Sequence, residues 1–203
     1  MSSEGFIKFN CERIDKNISL PIKTLEALTK WRNTMFESGL IGSYSTGVGY
    51  GNISIRAATD SFYISGTATG RLQTLEETHY PLVNSWSFSK NSLKCTGRIN
   101  ASAESLSHAV IYESLPNVGA VIHIHHKGMW TKYLNQKVTT SPDVLYGTPE
   151  MASEIHKIIM PLKPGEDPFL VMGGHEEGII VWGNNLDDAG ETVLKYYKSF
   201  LNE

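Results

Sequence analysis

His123 and His125, in the run Val121-Ile122-His123-Ile124-His125-His126, are the residues whose type and spacing most directly bear on chemistry. The run is apolar and β-branched and reads as a short strand. Side chains alternate across a strand, so His123 and His125 project from one face while Ile122 and Ile124 point the other way, into a core. Two imidazoles on one face offer adjacent positions to a divalent metal. His126 falls on the opposite parity. Paired histidines at a strand end are also an ordinary polar feature, so further ligands decide the matter.

Three residues elsewhere are candidates to complete a site. Glu104 stands near the start of a helix expected from Ser102, where a carboxylate serves either the helix dipole or chemistry. His175 lies in Met172-Gly173-Gly174-His175-Glu176-Glu177-Gly178, a tight loop between two expected strands. His108, one helical turn after Glu104, reads as a core histidine or as a hydrogen-bond partner of Glu104. Three neutral imidazoles leave a metal cationic and a strong Lewis acid toward a substrate oxygen. A neighbouring glutamate can ligate the resting metal and then move a proton. The combination suits chemistry beside a carbonyl, with the metal stabilising an enediolate and the carboxylate shuttling the proton. Two segments, Gly49-Tyr50-Gly51-Asn52 and Ser65-Gly66-Thr67-Ala68-Thr69-Gly70, either turn backbone N–H groups toward an anion or are plain turns.

The elements that must position these residues alternate in type. Helical spacing runs from Leu20 to Glu37, with Pro21 in the first turn and Gly39 as the stop. Strands are expected at 52–56 and 61–65 around a Thr59-Asp60 turn, then at 82–88, 118–125, 169–172 and 179–182. One helical turn is expected at 74–79. Further helices are expected at 102–114 with Ser102 as N-cap, at 148–160 with Thr148 as N-cap and Pro149 at the first position, and at 186–201. Interspersed strands and helices give a layered α/β or α+β domain. Residues 1–19 read as an arm or edge segment and 20–203 as one domain.

The chain has 203 residues, 40% of them apolar and 19% charged, enough for a sizeable core. A formal net charge of −3 without a long basic run gives no sign of nucleic-acid binding. No stretch has the length of a membrane span, and the start lacks an apolar signal segment. Cys11 and Cys95 match no zinc or redox motif, so a reduced, cytoplasmic setting is expected.

Taken in order, Gly51-Asn52-Ile53-Ser54, Ile64-Ser65-Gly66, Ser102-Ala103-Glu104, His123-Ile124-His125 and His175 before Gly178-Ile179-Ile180-Val181-Trp182-Gly183 resemble the class II aldolase/adducin superfamily. The resemblance spans about residues 20–201. It implies a three-layer α/β fold with a central, mostly antiparallel sheet flanked by helices, and a homotetramer with sites at subunit interfaces. It implies that His123, His125 and His175 bind one divalent metal per subunit, zinc foremost, and that Glu104 is the general acid/base. Asn52, Ser65, Gly66 and Ser102 would contact a substrate phosphate. A second acid would come from the Ser141-Pro142-Asp143-Val144-Leu145-Tyr146 segment, with Asp143 and Tyr146 both open.

The implied function is a metal-dependent lyase cleaving a small sugar or sugar phosphate by retro-aldol chemistry. The alternatives are dehydration of a sugar phosphate, as in methylthioribulose-phosphate dehydratase, and an adducin-like, non-catalytic interaction domain. Retention of three histidines and a glutamate argues against the last. Two departures stand out. Many members carry two serines before the acid, and here Ala103 removes one hydroxyl, a loss of about 1.5–3 kcal/mol for a bond to a charged group. Many members have glycine directly after the third histidine, where this chain has Glu176 and Glu177.

Overall fold

The computed structural model describes residues 7–163 and 166–202. Its centre is a mixed, mostly antiparallel sheet whose nine described strands run β1-β7-β6-β5-β4-β8-β11-β10-β9. The strands are β1 (Asn10–Ile14), β4 (Asn52–Ala58), β5 (Ser61–Ile64), β6 (Leu82–Ser87), β7 (Ser92–Thr96), β8 (Ala120–His125), β9 (Val138–Thr139), β10 (Phe169–Val171) and β11 (Gly178–Gly183). Only the two edge pairs, β1 with β7 and β9 with β10, are parallel. A separate two-stranded hairpin joins β2 (Gly42–Ser43) to β3 (Gly49–Tyr50).

Five described helices cover the sheet: α1 (Ile22–Glu37), α2 (Ser105–Ser114), α3 (Lys127–Tyr133), α4 (Pro149–Ile159) and α5 (Leu186–Leu201). Alternation on β8 shows how the layers are divided. Ile122 and Ile124 pack into a cluster with Leu28 and Met35 of α1 and Val193 of α5. Val121, on the other face with the two histidines, packs with Leu106 and Ile111 of α2 and Ile155 of α4. Helices on both faces of one sheet make the three-layer α/β arrangement that the resemblance implied, and settle the α/β or α+β alternative that the spacing left open.

Several local expectations are corrected. The helix expected from Ser102 begins at Ser105, because Ser102 starts a tight turn instead: its carbonyl accepts from Ser105 N–H at 3.1 Å and its Oγ from Glu104 N–H at 3.3 Å. The 74–79 turn contracts to a 3-10 turn at Glu77–His79. Thr148 does cap α4, accepting from Met151 N–H at 3.3 Å. Strand β7 and helix α3 were not expected, and the segment before Leu20 supplies β1 at the sheet edge. Among the described residues no helix is long and apolar enough to cross a membrane.

Candidate metal centre and active site

Strand β8 lies mid-sheet, hydrogen-bonded to β4 on one side and β11 on the other. Register places Asn52 opposite His123 and Gly178 opposite His125. His175 arrives from the turn between β10 and β11, which is closed by bonds from Gly178 N–H to His175 O at 2.9 Å and from His175 N–H to Met172 O at 3.2 Å. Gly173 and Gly174 let that turn press against the neighbouring chain. A Cβ on them would lie 2.1 Å from Thr140 O and 2.0 Å from Val144 O. The segment so contacted leads to Tyr146, whose ring stacks on His175 at 4.4 Å and 25°.

The three imidazoles therefore converge. Their ring centroids are 4.8 Å (His123–His125), 5.2 Å (His123–His175) and 4.8 Å (His125–His175) apart. One nitrogen from each falls within 4.8 Å of the others. All three side chains are buried. Burial first, and then the neighbouring histidines, hold His123 and His125 well below the usual histidine range. They are neutral imidazoles at neutral pH, the form that binds metals. His123 Nε2 is buried with no hydrogen-bond partner among the described residues. Burying such an atom is costly unless something supplies the missing interaction. Donor type, neutrality, convergence and that orphaned nitrogen together fit a divalent cation.

Glu104 occupies the cap position of α2, but its side chain makes no cap hydrogen bond. Its Oε2 accepts from Ser107 Oγ at 2.8 Å, and its Oε1 lies 3.7 Å from His175 Nδ1. Glu104, Ser102, Asn52, Gly66, His123 and Tyr146 share the wall of one pocket of about 170 Å³, closed by the 47–51 and 67–70 loops. Asn52 also reaches the centre, with Nδ2 3.3 Å from His123 Nδ1. Ala68 in the second loop adopts a left-handed φ of 60°. Non-glycine residues are rarely held there, and alternating backbone hand in a loop turns N–H groups to a common side.

Some sequence-predicted residues fall elsewhere. Ser65 is buried but does not line the pocket; its Oγ accepts from Ile53 N–H at 3.1 Å and so braces β4. Asp143 is exposed and outside the pocket wall, whereas Tyr146 is on it. His108 is a core residue, with Nδ1 2.7 Å from Ser54 Oγ, which also meets Tyr112 Oη at 2.8 Å. His126 leaves the site and caps α3, its Nδ1 accepting from Met129 N–H at 3.1 Å.

Other residues at the site were not anticipated. Tyr50 stacks on His125 at 5.5 Å and 30°, and Tyr44 contacts the same histidine from the β2–β3 turn. Arg32, buried on α1, donates to the carbonyls of Thr69, Gly70 and Gln73 at 2.7–3.2 Å and fixes the loop that closes the pocket. Tyrosines inside the glycine-rich 42–51 segment were the available signal for the first pair. Nothing local marked Arg32.

A mid-sheet histidine pair, a third histidine from a neighbouring turn, a buried carboxylate and a glycine-rich pocket define an α/β domain with a candidate metal centre. Residues 34–199 match the family described as Class II Aldolase and Adducin N-terminal domain, and the chain belongs to that family. It is 25% identical over 205 residues to the methylthioribulose-1-phosphate dehydratase of Leptospira biflexa serovar Patoc, covering 84% of this chain and 91% of that protein. Its fold is similar to l-fuculose-1-phosphate aldolase from Thermus thermophilus, with a TM-score of 0.66 and 17% identity over 89% of this chain and 92% of that one. A sugar-phosphate aldolase from Thermotoga maritima gives 0.59 and 14% identity over 88% and 92%. At these identities the structural likeness establishes the fold.

Proposed function

We propose that this protein is a divalent-metal-dependent lyase acting on a small sugar phosphate. The carrying observation is the convergence of His123, His125 and His175 beside the buried Glu104 carboxylate, with His123 and Glu104 on the wall of one pocket. His123, His125 and His175 would hold a divalent metal, which would supply a Lewis acid toward a substrate oxygen. Neutral imidazole ligands suit zinc, our preferred metal. Asn52, Ser102 and the backbone of the 66–70 loop offer hydrogen bonds to the phosphate.

In retro-aldol cleavage Tyr146 Oη takes the proton from the hydroxyl of the departing carbon as its own phenolic proton passes to solvent. The carbon–carbon bond then breaks, the electron pair stays on the carbon beside the carbonyl, and Glu104, carrying a proton taken from solvent water, delivers it to that carbon and returns to the carboxylate. Ser107 Oγ, bonded to Glu104 Oε2, keeps the carboxylate aimed. The second reading is loss of water, with Glu104 removing the proton beside the carbonyl. The sequence relative from Leptospira, named a dehydratase, favours it. Homotetrameric assembly, supported by the resemblance alone, and a cytoplasmic setting, supported by the cysteine usage alone, complete the proposal.

The test combines metal analysis with substrate screening. Stoichiometric divalent metal is expected, together with turnover of a phosphorylated ketose. Release of an aldehyde identifies cleavage, and loss of water identifies dehydration. Protein that takes up no divalent metal after supplementation overturns the reading.

A further inference from the structure

Beside the three histidines lies a hydrogen-bond chain built from two residues outside the proposed ligand set. Tyr44 sits at the β2–β3 turn, where its N–H bonds Val48 O at 2.9 Å. Its hydroxyl donates to Glu177 Oε2 at 2.7 Å and lies 3.0 Å from His125 Nδ1. Its ring is braced by Tyr50, 4.7 Å away, which itself stacks on His125. Glu177 is held just as firmly. Its φ is 73°, a left-handed conformation seldom adopted by glutamate, and its carbonyl accepts from His126 N–H at 3.0 Å. The neighbouring Glu176 points elsewhere and pairs with Lys127 at 3.1 Å.

The direction of the chain follows from counting hydrogens. A tyrosine hydroxyl has one, and an ionised carboxylate only accepts. The Tyr44 hydrogen therefore goes to Glu177, and the Tyr44 oxygen accepts from His125 Nδ1–H. That tautomer places the lone pair of His125 on Nε2, and a neutral imidazole binds a cation only through the nitrogen that carries the lone pair.

We propose that Tyr44 and Glu177 are positioning residues, a carboxylate–tyrosine relay that fixes the tautomer and orientation of His125 for metal binding through Nε2. The proposal rests on His125 being a metal ligand. It assigns a role to one of the two carboxylates that this chain inserts after His175. Partners of this kind typically set metal affinity by 10–100-fold.

Two measurements test it, on the full-length protein. The first is the tautomer of His125 in metal-free protein, read from its ring nitrogen resonances. Nδ1–H is expected in the wild type, and a shift toward Nε2–H in Tyr44→Phe, which removes one oxygen and keeps the ring. The second is Co²⁺ affinity by chelator competition, with the visible Co²⁺ spectrum as a check on coordination. Tyr44→Phe and Glu177→Ala are expected to weaken Co²⁺ binding 10–100-fold. The double variant is expected to be no worse than Tyr44→Phe, because both residues act through one bond. Glu177→Gln, whose amide oxygen still accepts, recovers most of the affinity, and Glu176→Ala changes nothing. An Nε2–H tautomer in the wild type, unchanged Co²⁺ affinity in Tyr44→Phe, or losses that multiply in the double variant overturns the relay. If the wild type binds no Co²⁺, the metal reading fails, and the tautomer measurement still decides the relay.

Discussion

Glu104 and His175 face each other with Oε1 and Nδ1 3.7 Å apart, both side chains buried, although 71 positions separate them in the chain. The carboxylate is close enough to the histidine cluster to exchange protons with a substrate held there. Replacing Glu104 with Gln keeps the shape and the bond to Ser107 but removes the base. Turnover is expected to fall by about 10²–10⁴-fold, with folding and metal content retained. Kinetics and metal analysis on the same preparation check this, and unchanged turnover removes Glu104 from the mechanism.

His175→Ala removes a donor brought in by a turn, and His123→Ala one from the middle of the sheet. Both are expected to lower bound divalent metal below one per chain and to abolish turnover. Treating the wild type with a chelator should do the same, with recovery on adding metal back. Full activity in chelator-treated protein would show that the histidine cluster serves another purpose.

Tyr146 stacks on His175, whereas Asp143 is exposed. Tyr146→Phe keeps the ring against the histidine and loses the hydroxyl, so kcat is expected to drop while metal binding persists. Asp143→Asn is expected to behave as the wild type. The reverse pattern would transfer the second acid/base role to Asp143.

Arg32 satisfies three carbonyls of the 69–73 segment from a buried position. Arg32→Met leaves those acceptors unpaired, at an expected cost of about 3 kcal/mol in unfolding stability. Because Thr69 and Gly70 line the pocket, KM for a phosphorylated substrate should rise more than kcat falls. Denaturant unfolding and steady-state kinetics read the two effects separately.

His108 gives a prediction for pH. Burial pushes it down to about 3, against an unfolded value near 6.5. The unfolded chain therefore takes up the proton first. The stability contributed by the neutral ring is complete above pH 6.5 and is lost as pH falls toward 3, by about 1.4 kcal/mol per pH unit within that window. His108→Asn should flatten the fall in stability between about pH 6 and pH 5 by close to one proton. An equally steep profile in the variant would mean that His108 is protonated in the native state.

The sequence was most legible where periodicity and chemistry coincide. Strand parity alone separated His123 and His125 from His126, and the same alternation sent Ile122 and Ile124 into the opposite core. Glu104 was singled out by its type, although the helix start was misplaced by three residues, because the Ser102 hydroxyl closes a tight turn where a cap was expected. Strand β7 went unseen because its alternating Leu93 and Cys95 are flanked by polar residues, and pairing with β6 and β1 defines it. Tyr44 and Glu177 stand 133 positions apart, and Arg32 meets its loop 37–41 positions downstream. Contacts at such range have no local period to betray them.

The placing of the histidines divides the site into parts with different lifetimes. β8 is bonded along both edges, so freeing His123 or His125 means parting the centre of the sheet, an event of nearly global cost. His175 and Tyr44 sit on turns, which open far more cheaply. Amide exchange should therefore be slowest along 121–124 and faster through 44–48 and 173–177. Any bound cation would leave by the turns, with the sheet acting as the anvil on which two movable jaws close.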